Sequence, residues 1–224
     1  MKIVDLKTDV LSLPLAQRFG FSMGVVQRRS AVIVELCIDD GVTGWGEALC
    51  HGVQPPQIAA AVVHAALKPI VLGQDPFDVD VLWERMYKLT RPFGQKGAVP
   101  NAISAVDNLQ PDLCAAGGFT ECRKISALAL ALALALAQAW HLPIVPHVWG
   151  SGIALAASLQ FIATLPLALH PVEPMLEFDQ SDHPFRQALI HDAIGLQNGR
   201  AQISDGPGLG VDINREVLAR YASA

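Results

Sequence analysis

Val, Ile and Leu crowd two runs near the start of the chain, residues 3–13 and 30–37, each interleaved with polar positions, and Asp39-Asp40-Gly41 turns the second into a third run at 42–48. That texture predicts an antiparallel meander. The period then lengthens toward that of a helix. Pro55-Pro56 opens an amphipathic stretch through Leu67, and Asp75-Pro76 opens another through Leu89, each with a turn residue where a helix begins. A third helix is expected from near Pro100 through Ala105, with loops at Gly73 and at Arg91-Pro92-Phe93-Gly94.

After Asp107 the pattern becomes short apolar runs that end in a polar residue and lead into helical stretches, as the βα units of a parallel barrel do. Residues 109–113 lead to a helix over 120–140, and 144–148 lead to a helix over 153–162; a third run covers 174–178. The tail carries a hairpin signal at Asn198-Gly199, a glycine-rich turn at 206–210, and a last helix capped near Asp212 and ending near Tyr221. From Ala127 to Ala137 alanine and leucine alternate without a break. Both are strong helix formers, so helix is favoured over strand, and its leucines would point all round the axis. The tract is far shorter than the roughly 20 apolar residues of a membrane span.

Composition narrows the function. With 224 residues, 51% of them hydrophobic and 17% charged, the chain reads as globular, and its formal charge of -5 with no basic run longer than a pair such as Arg28-Arg29 offers no footprint for nucleic acid or membrane. A small-molecule role fits better. Cys37, Cys50, Cys114 and Cys122 form no CxxC pair and read as reduced thiols. The first residues, with a charge at Asp5, lack the apolar stretch of a signal peptide, so a cytoplasmic location is expected.

Asp112, His147 and Glu177 stand at the ends of successive predicted strands, where a barrel places its catalytic groups. Histidine titrates near neutrality, and a carboxylate beside it fixes its tautomer and raises its basicity, so Asp112 and His147 could act as a basic dyad. Glu177 would hold or protonate a substrate oxygen. Taken singly, such a residue at a strand end is more often a helix cap or a satisfied surface group.

Several longer pieces bear on the choice. Gly44-Trp45-Gly46-Glu47-Ala48, Ala102-Ile103-Ser104-Ala105-Val106-Asp107, Gln110-Pro111-Asp112-Leu113 followed by Gly117-Gly118, Pro146-His147-Val148-Trp149-Gly150 and Gly206 through Asp212 occur in that order. Together they resemble the mandelate racemase/muconate lactonizing branch of the enolase superfamily. The resemblance implies an α+β capping domain over residues 1–107, an incomplete α/β barrel of TIM type with only about the last three strands, its remnant at 108–170, and a last strand and C-terminal segment at 171–224 that packs back on the cap. It also matches Asp112 and His147 to the family's dyad, and Glu177 in Leu176-Glu177-Phe178-Asp179 to its last-strand acid.

By the same resemblance the chemistry is abstraction of the proton α to a carboxylate, with magnesium offsetting the charge of the enediolate, as in acid-sugar dehydratases and racemases. The substrate would be a hydroxy acid or acid sugar, and a loop carrying Arg18, Phe19, Phe21 and Met23 would close over its distal part. The resemblance leans toward a homo-oligomer. The chain departs from the family after Asp107, which runs straight into the sixth-strand segment. The Lys-x-Lys motif and the three metal ligands fall in what is missing, so the magnesium site is expected to be absent and the chain inactive alone. A whole eight-stranded barrel takes about 250 residues. Two other enzyme readings compete: a metal hydrolase using His147, His170, Glu173 and Glu177, broken by Pro171 and Pro174, and a Ser151-His147-Asp112 triad that lacks the Gly-x-Ser-x-Gly turn. A third alternative is a non-catalytic capping remnant that self-associates.

Overall fold

The computed structural model describes residues 1–21, 24–50, 55–94, 97–107, 146–164 and 175–222. Strands β1 (Ile3–Phe21), β2 (Gly24–Ile38) and β3 (Thr43–Ala48) form an antiparallel sheet in the order β1-β2-β3. The turn read at Asp39-Asp40-Gly41 joins β2 to β3: Gly41 takes φ +89, and the Val42 N–H donates to Asp40 Oδ1 at 3.0 Å.

β1 continues to Phe21, well beyond the end expected at Leu13. Its register slips immediately after Pro14, between the pairs Pro14↔Arg28 and Phe19↔Val26, so residues 15–18 lie opposite the single residue Gln27. Proline has no N–H for a ladder, and such an irregularity is where a strand tolerates one. Arg18 and Phe19, expected on a loop, therefore sit in β1 at the far end of a long hairpin.

The helices follow the predicted order with shifted ends. α1 (Pro56–Val62) passes through a π-helical turn (Val63–Leu67) into α2 (Lys68–Val71), so the helical path outlasts Leu67. Pro69 explains the wide turn: a regular helix would ask for its missing N–H and press its ring on a preceding carbonyl, and the π turn, with Lys68 N–H reaching Val63 O, relieves both. Asp75 makes a local turn, accepting from Phe77 N at 3.0 Å, and α3 (Val79–Thr90) starts after it. A short 3-10 turn (Arg91–Phe93) replaces the expected loop, and α4 (Ala98–Asp107) follows.

β2 serves two cores. Val32 and Val34 face α1 to α4 with Leu6, Val63, Leu67, Met86 and Ile103, while the alternate residues Ala31 and Ile33 face Leu11, Ile153, Phe185, Leu189, Ile213 and Leu218 on the other side. The second layer comes from α5 (Gly152–Thr164), α6 (Pro184–Ala188) and α7 (Arg215–Tyr221). Each large side chain fully buried contributes about 1.5–3 kcal/mol, and both faces of the sheet collect such residues. α5 is apolar nearly all round and is buried over Gly152 to Leu159.

The hairpin read at Asn198-Gly199 is present, joining Leu196–Gln197 to Arg200–Ala201, with φ +54 and +76 at the two turn residues as a type I′ turn demands. α7 is capped by Asn214, whose Oδ1 accepts from Val217 N at 3.1 Å, and not by Asp212. Asp212 stands two residues too early and lies 3.9 Å from His191. The expected barrel strands do not appear in the described parts of 144–148 and 174–178, residues 146–148 and 175–178. These stretches meet through one backbone bond, Glu177 N to Pro146 O at 3.3 Å, and one bond is no ladder. The run at 109–113, the helix expected over 120–140 and the Ala-Leu tract lie outside the described residues. Among the described residues no helix is long and apolar enough to cross a membrane.

Candidate active site

Two irregular segments run side by side at the far end of the β1–β2 hairpin: one from Pro146 to Ser151, the other from Met175 to Ser181. Each carries a candidate residue. His147 Nε2 lies 3.9 Å from Glu177 Oε2, and both side chains are 57% exposed, open to a ligand. The distance permits an ion pair when the imidazole is protonated, and a shared substrate oxygen or proton when it is not. Trp149 meets the His147 ring edge-on at 6.4 Å and contacts Phe19 of the hairpin at 5.7 Å. The structure thus brings His147, Glu177 and Phe19 into one neighbourhood. Arg18 is exposed on the same strand. Asp112 and Met23 lie outside the described residues, as do the His170 and Glu173 of the metal-hydrolase reading, and only the backbone of Phe21 is described.

Beneath these residues is a charged cluster that the sequence did not reveal. Arg29, 6% exposed, stacks its guanidinium 5.0 Å from the Phe19 ring centre and 5.2 Å from that of Trp149. Its Nη2 donates to Ser181 Oγ at 2.6 Å and lies 3.6 Å from Asp179 Oδ2. Arg186, equally buried, donates to the same carboxylate oxygen at 2.8 Å and to the Asp179 carbonyl. Burial alone would raise the Asp179 pKa, but the hydrogen bonds from Arg186 and from the Ser181 N–H and hydroxyl prevail and hold it at about 2.

His183 completes the cluster. Burial, then the charges of Arg29 and Arg186, push its pKa down to about 3, and its Nδ1 has no hydrogen-bond partner among the described residues. It is buried as a neutral ring. Because the folded state holds the proton less well than the unfolded chain, the stability His183 contributes is complete above its ordinary 6.5 and declines as pH falls toward 3. Unfolding free energies from urea titrations between those pH values should fall by roughly 1 kcal/mol per pH unit, and His183→Gln should flatten that slope.

A second buried acid ties the 146–151 segment to the sheet. Glu47 of β3, 4% exposed, accepts from Ser151 N at 3.1 Å and from Ser151 Oγ at 2.5 Å. Ser151 Oγ in turn accepts from Ile153 N at 3.2 Å, so Ser151 is the N-cap of α5 and Glu47 lies at that helix's positive end. Fully buried and engaged as a cap, Ser151 is no hydrolase nucleophile. Gly150 permits the approach: a Cβ there would stand 2.3 Å from Ala154 Cβ and 3.2 Å from Glu47 Oε1. The thiols Cys37 and Cys50 are unbridged, and burial raises Cys50 to about 12, which makes it unreactive.

Among the described residues no three His, Cys, Asp or Glu side chains converge to hold a metal. The described part of the site thus offers acid-base groups, a half-open aromatic wall and a buried arginine, but no cation cage.

Residues 3–116 match the model of the mandelate racemase/muconate lactonizing enzyme N-terminal domain, and residues 101–217 match the enolase C-terminal domain-like model. The chain is 47% identical over 123 residues to a D-galactarolactone cycloisomerase of Agrobacterium fabrum, a match covering 54% of this chain and 30% of that protein. It is 27% identical over 170 residues to a D-xylonate dehydratase of Haloferax volcanii, covering 75% and 34%. The chain thus spans about a third of these curated relatives. By structure it is similar to the 3,6-anhydro-D-galactonate cycloisomerase of Zobellia galactanivorans, with TM-score 0.80, 19% identity and 100% of both chains covered. It is also similar to an enolase-superfamily member from Polaromonas sp. JS666, with TM-score 0.79, 16% identity and coverage of 100% and 98%. At those identities the structural likeness establishes the fold alone.

Proposed function

The chain belongs to the mandelate racemase/muconate lactonizing enzyme family, and from that premise we propose that it carries the acid-base residues for removing a proton α to a carboxylate in a hydroxy acid or acid sugar. His147 is the base, Asp112 its dyad partner, and Glu177 the group that holds or protonates a substrate oxygen; Arg18, Phe19, Phe21 and Met23 bound the distal end of the substrate. The observation that carries this reading is the 3.9 Å approach of His147 Nε2 to Glu177 Oε2, both reachable by a ligand. A dehydratase or cycloisomerase outcome fits the names of the relatives.

In this reading residues 1–107 form the cap, 108–170 a barrel remnant, and 171–224 the C-terminal segment that returns to the cap. The Lys-x-Lys and metal-ligand segment is missing, in keeping with the short span over the curated relatives. The described residues offer no fit for magnesium, and no step is assigned to it. The purified chain should therefore show no turnover of a panel of acid sugars with magnesium, despite a folded circular dichroism spectrum. Turnover abolished by His147→Asn would uphold the site and overturn the inactivity; stoichiometric magnesium binding by calorimetry would also overturn it.

One observation favours a second reading, a non-catalytic chain that self-associates. Phe77, Val81, Leu89 and Phe93, on and beside α3, are 76, 49, 62 and 73% exposed. Four large apolar side chains left on the surface of one part of the chain are what a contact with a second copy would cover. Sedimentation of the parent and of Phe77→Ser/Phe93→Ser decides it: a dimer reduced to monomer supports the reading, and two equal monomers end it.

A further inference from the structure

The two segments that carry His147 and Glu177 have no regular secondary structure to fix their spacing, yet one side chain touches both. On the first segment Arg29 lies against Trp149, two residues after His147 and in contact with its ring. On the second it donates to Ser181 and faces Asp179, two residues after Glu177. Its third surface covers Phe19 at the end of the hairpin. We propose that Arg29 is a positioning residue that sets His147 against Glu177, by clamping the 146–151 and 175–181 segments to the β1–β2 hairpin.

The chemistry of arginine suits this task. A guanidinium presents flat faces for aromatic rings and in-plane N–H groups for oxygen acceptors, so it can bind Trp149 and Phe19 by its faces while its rim holds Ser181 and Asp179. Lysine offers a point charge and no plane. The arginine is 6% exposed and is not itself placed to meet a substrate, so its effect passes through the other two residues. It also links the hairpin to the acid-base pair: Phe19, offered above as a boundary of the substrate, rests on the same guanidinium.

This inference rests on the proposed site but is tested without turnover. In the full chain, the ring protons of His147 should show a nuclear Overhauser contact with the Trp149 indole, and Glu177→Gln should move the His147 Cε1–H chemical shift. In Arg29→Lys and Arg29→Met both the contact and the response to Glu177→Gln should be lost, while the two core clusters remain folded by circular dichroism. If Arg29→Met does not fold, Ser181→Ala removes the 2.6 Å bond at an exposed residue and should weaken both signals. Folded Arg29→Lys and Ser181→Ala variants with both signals intact would overturn the proposal and assign Arg29 to stability alone. Failure of the catalytic reading would show separately, as acid sugars that leave the His147 Cε1–H shift of the parent unchanged.

Discussion

Replacing Asp179 with alanine should cost about 3–5 kcal/mol in urea unfolding, among the largest losses any single substitution here can cause, because it strips a counter-ion from two buried arginines at once. Arg29 and Arg186 are 6 and 8% exposed, and both face one Asp179 carboxylate oxygen at 3.6 and 2.8 Å. The penalty arises mainly from leaving two charges without their shared counter-ion in a poorly solvated place, and less from the loss of the contacts themselves. Asp179→Asn keeps the shape and an acceptor and should lose less. The acid limb adds a check. Asp179 is held at about 2 against an ordinary 3.8, so its stability is complete above 3.8 and disappears as pH falls through 2. The asparagine variant should lack that part of the acid transition, whereas the decline that begins at 6.5 belongs to His183 and should persist.

Glu47→Ala is the second large effect, expected at about 3 kcal/mol. The carboxylate accepts from both the N–H and the hydroxyl of Ser151, and alanine would leave a buried donor pair and a void at the start of α5. Glu47→Gln retains an acceptor and loses the charge at the helix end, a difference of about 1 kcal/mol. The damage should spread beyond global stability. Ser151 closes the segment that begins at Pro146, so hydrogen exchange should accelerate over residues 146–151 in Glu47→Ala before it does so in the first core. Equal exchange in parent and variant would show that the Glu47 contact does not restrain the segment.

The cap was legible because its signals are local. Alternation, Asp39-Asp40-Gly41 and the prolines at helix starts each act within a few residues, and the sheet and helices appear where these mark them. The hairpin beyond Leu13 was not legible, since residues 15–18 face a single partner residue and so carry no two-residue period. Of the candidate site, His147 and Glu177 stood out by residue type and position, and they do meet. Arg29 did not: in sequence it is one half of a basic pair, indistinguishable from solvated surface, and its partners Trp149, Asp179 and Ser181 lie more than a hundred positions away. Asp179 could be seen only as a neighbour of Glu177, and His183 only as one histidine among seven. Burial, which gives these residues their role, is a property of the assembled chain. The same holds for Glu47, which stood within a quoted motif, and for Ser151, which was weighed only as a nucleophile; their joint purpose is mechanical.

Sharing β2 between two cores also makes the cap and the C-terminal layer depend on each other. The C-terminal layer rests directly on Leu11, Ala31 and Ile33, and a bridge joins Leu11 to Ala222. Leu11 and the stretch from Ile213 to Ala222 are thus stitched to the same ribbon, much as the two covers of a book share one spine. Trimming back from residue 222 would bare one side of β2 and turn the remaining cap into a sticky fragment.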